Sequence, residues 1–518
     1  MQLLAVVIYV AILLWIGVAA ARRTRSTLDY YVGGRRMGPL SVAFSARSTG
    51  ESAWLLLGLT GFGAAVGVQG FWIVLGEVLG VMLSWGFMAQ RFKRLTARYN
   101  SMTVPDYLES RFRDQGQGIR SLAAGSLLVF VPIYVSAQIH ATGEAFSSFL
   151  GWNYYVGALF GFVVVLLYVT RGGFVSVVWS DVFQAIMMLV GLVALPVVGV
   201  VVAGGSSPIV DALRESYPNH FSMTAGQNWN LITVAGIIGL LGIGLGYLGS
   251  PQVYVRLIAL RSDGVIPLAR GVAIVWTLLT DTGAVMIGIV GRALIEGNLG
   301  TAGQEVLPSL VALVLPPFVA GLYIAVVLAA IMSTVDSLLV VASSAAVRDY
   351  YQKILHPELA DKSLIGLGRR LTVLLALVAL AIAMLVAVFT GRQGVFWYVI
   401  FGWSGIAATF CPTIILSLFW SRMTALGAKC AMLSGFLSVP FFQFIAPRLP
   451  TVGPHFDVLE EMAPSFLISG AVGVAVSLWD KRGQQAVSEA HAELQEASTR
   501  GSAEFVDERD LDPWKQTN

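Results

Sequence analysis

Charge is scarce in this 518-residue chain: Asp, Glu, Lys and Arg together make up 12% of it, against about 25% in a water-soluble domain. A surface that poor in charge does not face water, which excludes the row of soluble domains that length alone suggests. Cysteine is almost absent. Cys411 and Cys430 lie in or beside apolar runs, form no metal-binding spacing, and argue neither for nor against an oxidising compartment. There is no Cys/His metal spacing, no paired His–acid motif and no phosphate-binding loop, so the chain does not read as an enzyme. The net charge is only +3, and no nucleic-acid partner is expected. No basic residue precedes the first apolar run and Arg22-Arg23 follow it, the reverse of a signal peptide, so that run reads as a retained helix.

What fills the chain is apolar, at 56% of positions. Runs long enough to cross hydrocarbon, which takes roughly 20 residues, fall at 3–21, 41–64, 69–90, 121–147, 153–170, 177–203, 231–255, 271–294, 308–344, 369–391, 395–420, 426–446 and 464–479. The expected class is an all-α polytopic membrane protein of thirteen transmembrane helices, with residues 1–480 as one transmembrane domain and 481–518 as a polar tail with no apolar face long enough to pack. Lys and Arg accumulate in cytoplasmic loops. One set of alternate loops holds most of the 33 basic residues, among them Arg22, Arg23, Arg25, Arg35, Arg36, Arg91 through Arg120, Arg348 through Arg370 and the tail; the other holds Arg214, Arg292, Arg392 and Arg448. The N-terminus is therefore expected outside and the C-terminus in the cytoplasm, in the cell membrane.

Two of these runs are interrupted at matching positions. Span 41–64 contains the polar block Ser45 to Ala53, and span 231–255 contains Gly242, Gly244, Gly246 and then Gly249-Ser250-Pro251. Five spans separate them, as a five-plus-five inverted repeat requires, and transporter sites sit where such helices break. Glycines that merely allow close helix packing are the alternative. Ionisable residues at bilayer depth are costly and mark function or pair with one another. Here they are Arg47, Glu51, Glu77, Asp181, Asp281 and Asp336, with His140 as a titratable neighbour. Arg47 and Glu51, spaced i, i+4, are either a self-neutralising pair or the place where Glu51 holds a cation or a solute amine. In Ala330-Ile331-Met332-Ser333-Thr334-Val335-Asp336-Ser337 the hydroxyls of Ser333 and Thr334, with a carbonyl at Ala330, offer oxygen ligands to a hard cation, and Asp336 adds charge. Hydroxyls in membrane helices also simply bond their own backbone.

At these residues the chain resembles the sodium:solute symporter family, and within it the sodium/proline branch. The resemblance runs from the first helix to the thirteenth. It includes Val32-Gly33-Gly34-Arg35, Trp54-Leu55-Leu56-Leu57-Gly58-Leu59, Val104-Pro105-Asp106-Tyr107 with Arg111-Phe112, Gly172-Gly173-Phe174 with Trp179-Ser180-Asp181 and Gln184, Gly244-Leu245-Gly246-Tyr247, Met332-Ser333-Thr334, and Trp420-Ser421-Arg422-Met423-Thr424. It implies a LeuT-type core of ten helices (repeats about 41–203 and 231–420), flanked by one helix before and two after, and sodium-coupled uptake of a small solute by alternating access. It places the main sodium site at Ser48, Glu51, Ala330, Ser333 and Thr334, and a second ion position or exit relay at Asp181, Asp336 and Ser337. Substrate contacts match Ser52, Tyr134, Tyr247 and Pro251; spacing adds Gln138 and Trp54.

Two departures bear on the substrate and the ion. The proline branch carries an aspartate where this chain has Gly50, with Glu51 one residue on, about 100° around a helix. The tryptophan that precedes the branch's Gly-x-Gly-Tyr is Ile243 here, and Arg47 replaces a small residue. The expected function is sodium-coupled import of a small organic solute, an amino acid such as proline, with sodium as the ion and the bilayer and the solute as partners, in a monomer or weak oligomer. Proton coupling, a carboxylate or other solute, and a solute sensor are the alternatives.

Overall fold

The computed structural model describes residues 1–22, 26–300, 303–359, 364–389 and 394–499; Arg23, Arg25, Arg392 and the tail from 500 onward lie outside them. Helix α1 (Gln2–Ala21) is followed by the short α2 (Thr27–Val32), opened by a capping box between Ser26 and Asp29. Such reciprocal bonds satisfy backbone donors left free at a helix start. Helix α3 (Pro39–Gly50) carries proline in its first turn, where the missing N–H costs nothing. It ends at Glu51, whose ψ of 36° leaves the helical region. After Ser52 a widened π turn, Trp54–Leu59, leads into α4 (Thr60–Val66). The polar block that marks span 41–64 is thus where that helix opens. At Gly67 (φ +65°) the chain turns back, and a Cβ there would lie 2.3 Å from the carbonyl oxygen of His220, so only glycine fits.

Helix α5 (Phe71–Leu83) continues through a π turn into α6 (Ala89–Arg98), followed by α7 (Val104–Phe112), α8 (Gly118–Leu150) and α9 (Tyr154–Val202). At 1.5 Å per residue α9 is about 70 Å long, more than twice the hydrocarbon thickness, and Gly173 (φ 59°, ψ −160°) breaks it in two. Beyond α10 (Ser206–Ser216), the second interrupted span appears as α11 (Leu231–Gly242), a 3₁₀ segment (Ile243–Leu248), Gly249 at φ 156°, and α12 (Pro251–Ala259). The chain continues with α13 (Ile266–Leu294), α14 (Val306–Val314), α15 (Pro317–Ser344), α16 (Leu364–Phe389), α17 (Val395–Phe419), α18 (Ala425–Phe444), α19 (Gly453–Leu459), α20 (Met462–Trp479), α21 (Lys481–Ala486) and α22 (Ala490–Ser498).

Helix α15 is the central post. Its apolar window is wholly buried, and it packs against α1, α3, α8 and α9. The two broken helices meet at their outer connections too: Met37 N–H donates to Ala259 O at 3.1 Å and Arg261 N–H to Met37 O at 3.1 Å, so the start of α3 is stitched to the end of α12. Glycines let α5 touch the 3₁₀ segment backbone to backbone. A Cβ on Gly244 would lie 2.0 Å from Gly76 O, and one on Gly80 2.1 Å from Gly244 O.

Three expectations change. By length and composition, eleven helices among the described residues suffice to cross a membrane, against the thirteen expected, because some runs are merged or short. The expected spans 41–64 and 69–90 fall partly in one run, Trp54–Arg98, and Tyr154–Leu167 is short for a crossing. Span 308–344 begins as a separate helix, because Pro316-Pro317 cannot donate the backbone bonds that would join α14 to α15. The tail is packed, at least to Thr499. Val487, Ala490, Leu494 and Ala497 are buried, and α22 lies on α6. Tyr99 Oη donates to Glu493 at 2.7 Å, Arg113 pairs with Glu489 and Glu493 at 3.0 and 3.1 Å, and Arg94 donates to the carbonyls of Ala497 and Thr499 at 2.9 Å. Small apolar residues and polar contacts together fasten it.

Candidate functional site

Where α3 ends, its last carbonyls face α15. Ser333 Oγ donates to Ser48 O at 2.9 Å and to Ala330 O at 3.0 Å, and Thr334 Oγ1 lies 3.1 Å from Thr49 O and 3.2 Å from Ala330 O. Four of the five residues expected at the main ion site, Ser48, Ala330, Ser333 and Thr334, are therefore brought together, and Thr49 joins them. All are buried. Around a hard cation with oxygens at about 2.4 Å, neighbouring ligands of an octahedron stand about 3.4 Å apart. The spacings here are a few tenths of an ångström shorter, so a slight outward movement admits such an ion. The donor set is hydroxyl and carbonyl oxygen throughout, which suits sodium. For Glu51 the structure shows the ion-pair reading: its carboxylate contacts Arg47 and accepts from Tyr247 Oη at 3.4 Å.

The residues expected at a second ion position gather one turn further along α15. Ser337 Oγ lies 2.9 Å from Thr49 Oγ1 and donates to Ser333 O at 2.7 Å, and it stands 3.1 Å from Asp336 Oδ1. Asp181 accepts from Ser45 Oγ at 2.6 Å. Among them lies a cation that sequence reasoning missed. The guanidinium of Arg256 pairs with Asp181 at 3.0 Å and donates to Ser45 Oγ, Thr49 Oγ1 and Ser337 Oγ. Arg256 is fully buried. Its signal was available, for it stands between Tyr254-Val255 and Leu257-Ile258, an apolar setting that a solvated loop arginine does not have.

The expected solute contacts surround the first break. Gln138 Oε1 accepts from Ala53 N–H at 3.1 Å, and Trp54 Nε1 donates to Gly50 O at 3.2 Å. These bonds hold the backbone freed by the break, including Ser52. Tyr134 and Tyr247 sit on either side of Trp403, with ring centroids 6.5 and 5.1 Å away. Trp403, on α17, was also missed; nothing in its sequence surroundings distinguishes it. Its indole donates to Ile243 O at 3.1 Å, and Gly246 leaves the space it occupies, since a Cβ there would fall 2.2 Å from the ring. The amide nitrogen of Gln138 and both amide atoms of Gln252 are buried without a hydrogen bond among the described residues. Pro251 is placed differently: it lines a narrow cleft with Tyr31, Thr103, Leu127, Val341 and Ser344, towards the loop before α7.

A polypeptide with two interrupted helices, a hydroxyl–carbonyl set between the first of them and α15, and a cluster of aromatic rings beside it has the parts of an ion-coupled carrier. The sodium:solute symporter family model matches residues 30–435. The chain belongs to that family. It is a sodium-coupled solute symporter rather than an enzyme, and sodium is its coupling ion. The high-affinity proline transporter PutP of Bacillus subtilis (strain 168) is 35% identical over 491 residues, covering 94% of this chain and all of its own. The sodium/proline symporter of Escherichia coli (strain K12) is 33% identical, covering 94% of each. Among solved structures, a Na⁺-coupled sialic acid symporter in a substrate-bound outward-open state superposes with a TM-score of 0.76 at 18% identity, over 92% of this chain and 98% of its own. That match establishes the symporter fold, with its LeuT-type core.

Proposed function

We propose that this symporter imports proline, or an amino acid of similar size, together with sodium. The observation that carries the reading is the hydroxyl–carbonyl set in which Ser333 and Thr334 reach the carbonyls of Ser48 and Thr49 at the broken end of α3. Sodium bound there stitches α3 to α15 and holds the solute chamber in shape. Ser52, Trp54, Tyr134, Gln138 and Tyr247 form the chamber, and Pro251 lies on the exit side. Two relatives that align over 94% of the chain carry proline. The tryptophan that this chain lacks at Ile243 has a counterpart in Trp403, whose indole stands against Tyr247, so an aromatic wall is retained. Asp181 and Ser337, bridged by Arg256, form an exit relay with Asp336.

The proposed architecture is a single transmembrane domain over residues 1–480 with thirteen crossings, counting the two limbs of 54–98 and of α9 separately, and a tail from 481 on the cytoplasmic face. The N-terminus lies outside the cell membrane, and the protein acts as a monomer or weak oligomer. One sodium moving down about 100 mV contributes about 2.3 kcal/mol, enough for roughly fortyfold accumulation. Purified protein in liposomes, given labelled proline with an inward sodium or potassium gradient, tests the reading. Accumulation driven by sodium and not potassium is expected. Sodium-independent entry, or no proline entry beside entry of another solute, overturns it.

A further inference from the structure

Where α13 packs on α3 and α5, three carboxylates meet one guanidinium. Arg47, Glu51, Glu77 and Asp281 are each 1% exposed or less, and the three acids present oxygens that all lie within 4.8 Å of one another. Arg47 is in contact with Glu51, leaving Glu77 at 4.0 Å as a second, looser partner. The guanidinium also lies 4.3 Å over the ring of Tyr247. Both oxygens of Glu77, Oε2 of Glu51 and Oδ2 of Asp281 make no hydrogen bond among the described residues, although they are buried. Asp281 Oδ1 lies 3.2 Å from Thr280 Oγ1. Once Arg47 and Glu51 have neutralised each other, two carboxylates remain at membrane depth with no cation of their own. Neither belongs to the sodium set between α3 and α15.

Two such groups at this separation in an apolar interior do not both ionise. A buried carboxylate without a bonding partner takes a proton rather than keep its charge. A metal ion would have to sit beside the guanidinium of Arg47, which already fills the cationic place among the acids, whereas a proton needs neither room nor a ligand cage. The titratable or charged groups facing the pair are Arg47 and Glu51 from α3, Tyr247 from the 3₁₀ segment and Tyr134 from α8. Tyr247 connects the cluster to the solute chamber, because its hydroxyl donates to Glu51 while its ring covers Arg47.

We infer that Glu77 and Asp281 form a proton site that fills as solute engages Tyr247. A solute competing for Tyr247 withdraws a donor from the acidic cluster, which then holds a proton more firmly. One carboxylate becomes a carboxylic acid, with its proton drawn from the side to which the chamber is open and returned to water on the other side. Sodium remains the driving ion at its own site, and the proton travels with the solute.

The inference rests on the proline reading, and one preparation separates the two. Full-length protein in weakly buffered detergent with a pH-indicator dye receives saturating sodium and then proline, and proline binding is measured in parallel by scintillation proximity. The wild type is expected to take up about one proton per bound proline, with proline affinity rising as pH falls, by up to tenfold per unit. Glu77→Gln and Asp281→Asn should take up none, and Glu77→Asp should retain the uptake. Proline binding without proton uptake in the wild type, or equal uptake in both neutral variants, overturns the proton site and leaves the proline reading standing. No sodium-dependent proline binding overturns both. A second bound ²²Na⁺ that disappears in Glu77→Gln would give the cluster to sodium instead. Should a neutral variant fail to fold, the wild-type proton count decides alone.

Discussion

Thr334 offers the sharpest perturbation of the ion site. Its hydroxyl lies 3.1 Å from Thr49 O on α3 and 3.2 Å from Ala330 O on its own helix, so it is one of five oxygens gathered there and one of two that span the helix junction. Thr334→Ala removes that oxygen and leaves the rest of α15 unchanged. A hydrogen-bond-strength contact to a charged group is worth about 1.5–3 kcal/mol, so the sodium concentration for half-maximal uptake should rise roughly 10- to 150-fold. Thr334→Ser keeps the oxygen and should stay close to wild type. The assay is the initial rate of proline entry into proteoliposomes over a sodium series, with sodium-induced thermal stabilisation of the detergent-solubilised protein as a second readout. An unchanged half-saturation in Thr334→Ala, with normal stabilisation by sodium, would refute the placement of the ion between α3 and α15.

Arg256→Ala leaves Asp181 buried without its cation, which costs about 3–5 kcal/mol; a large fall in melting temperature is expected, partly restored by Asp181→Asn in the same molecule. Gly244→Ala drives a Cβ to 2.0 Å from Gly76 O, so monodisperse protein should vanish in size-exclusion profiles, whereas Gly271→Ala, in open space, should behave normally. Glu460, in the loop before α20, has its carboxyl pushed up to about 8 by burial and by the charges of Glu461 and Asp457. In the unfolded chain it titrates near the ordinary value of about 4.3. Folded and unfolded forms both hold the proton at low pH, and stability falls as pH rises from there through about 8. Glu460→Gln should therefore melt higher than wild type at pH 9 and match it near pH 4.

Much of this was legible in the chain because it depends on neighbours in sequence. Gly249-Ser250-Pro251 and the polar run from Ser45 to Ser52 announce where helices cannot continue, and Ser333-Thr334 places two neighbouring hydroxyls in a membrane helix. What stayed hidden depends on neighbours in space. Trp403 reaches the chamber from a helix some 150 residues away from Tyr247, and no local pattern marks it. Glu77 and Asp281 are visible as buried acids, but only the crossing of α5 and α13 shows that they lie beside each other and Glu51. Glu51 matches the ion site by its position in the broken helix, while its side chain takes the other reading that the i, i+4 spacing left open and pairs with Arg47. The tail packs through a short stripe of small apolar residues, Val487, Ala490, Leu494 and Ala497, flanked by polar contacts from Arg94, Tyr99 and Arg113; a stripe so short, set among Glu, Gln and Ser, does not stand out in the sequence.

The contact between Gly76, Gly80 and Gly244 leaves no side chain between two backbones. The two backbones meet there at van der Waals distance, so any added side chain would drive α5 and the 3₁₀ segment apart. In the proposed transport cycle the seam is therefore the fixed jamb, and the contact of α15 with the end of α3, made by hydroxyls and a single bound ion, is the leaf that swings.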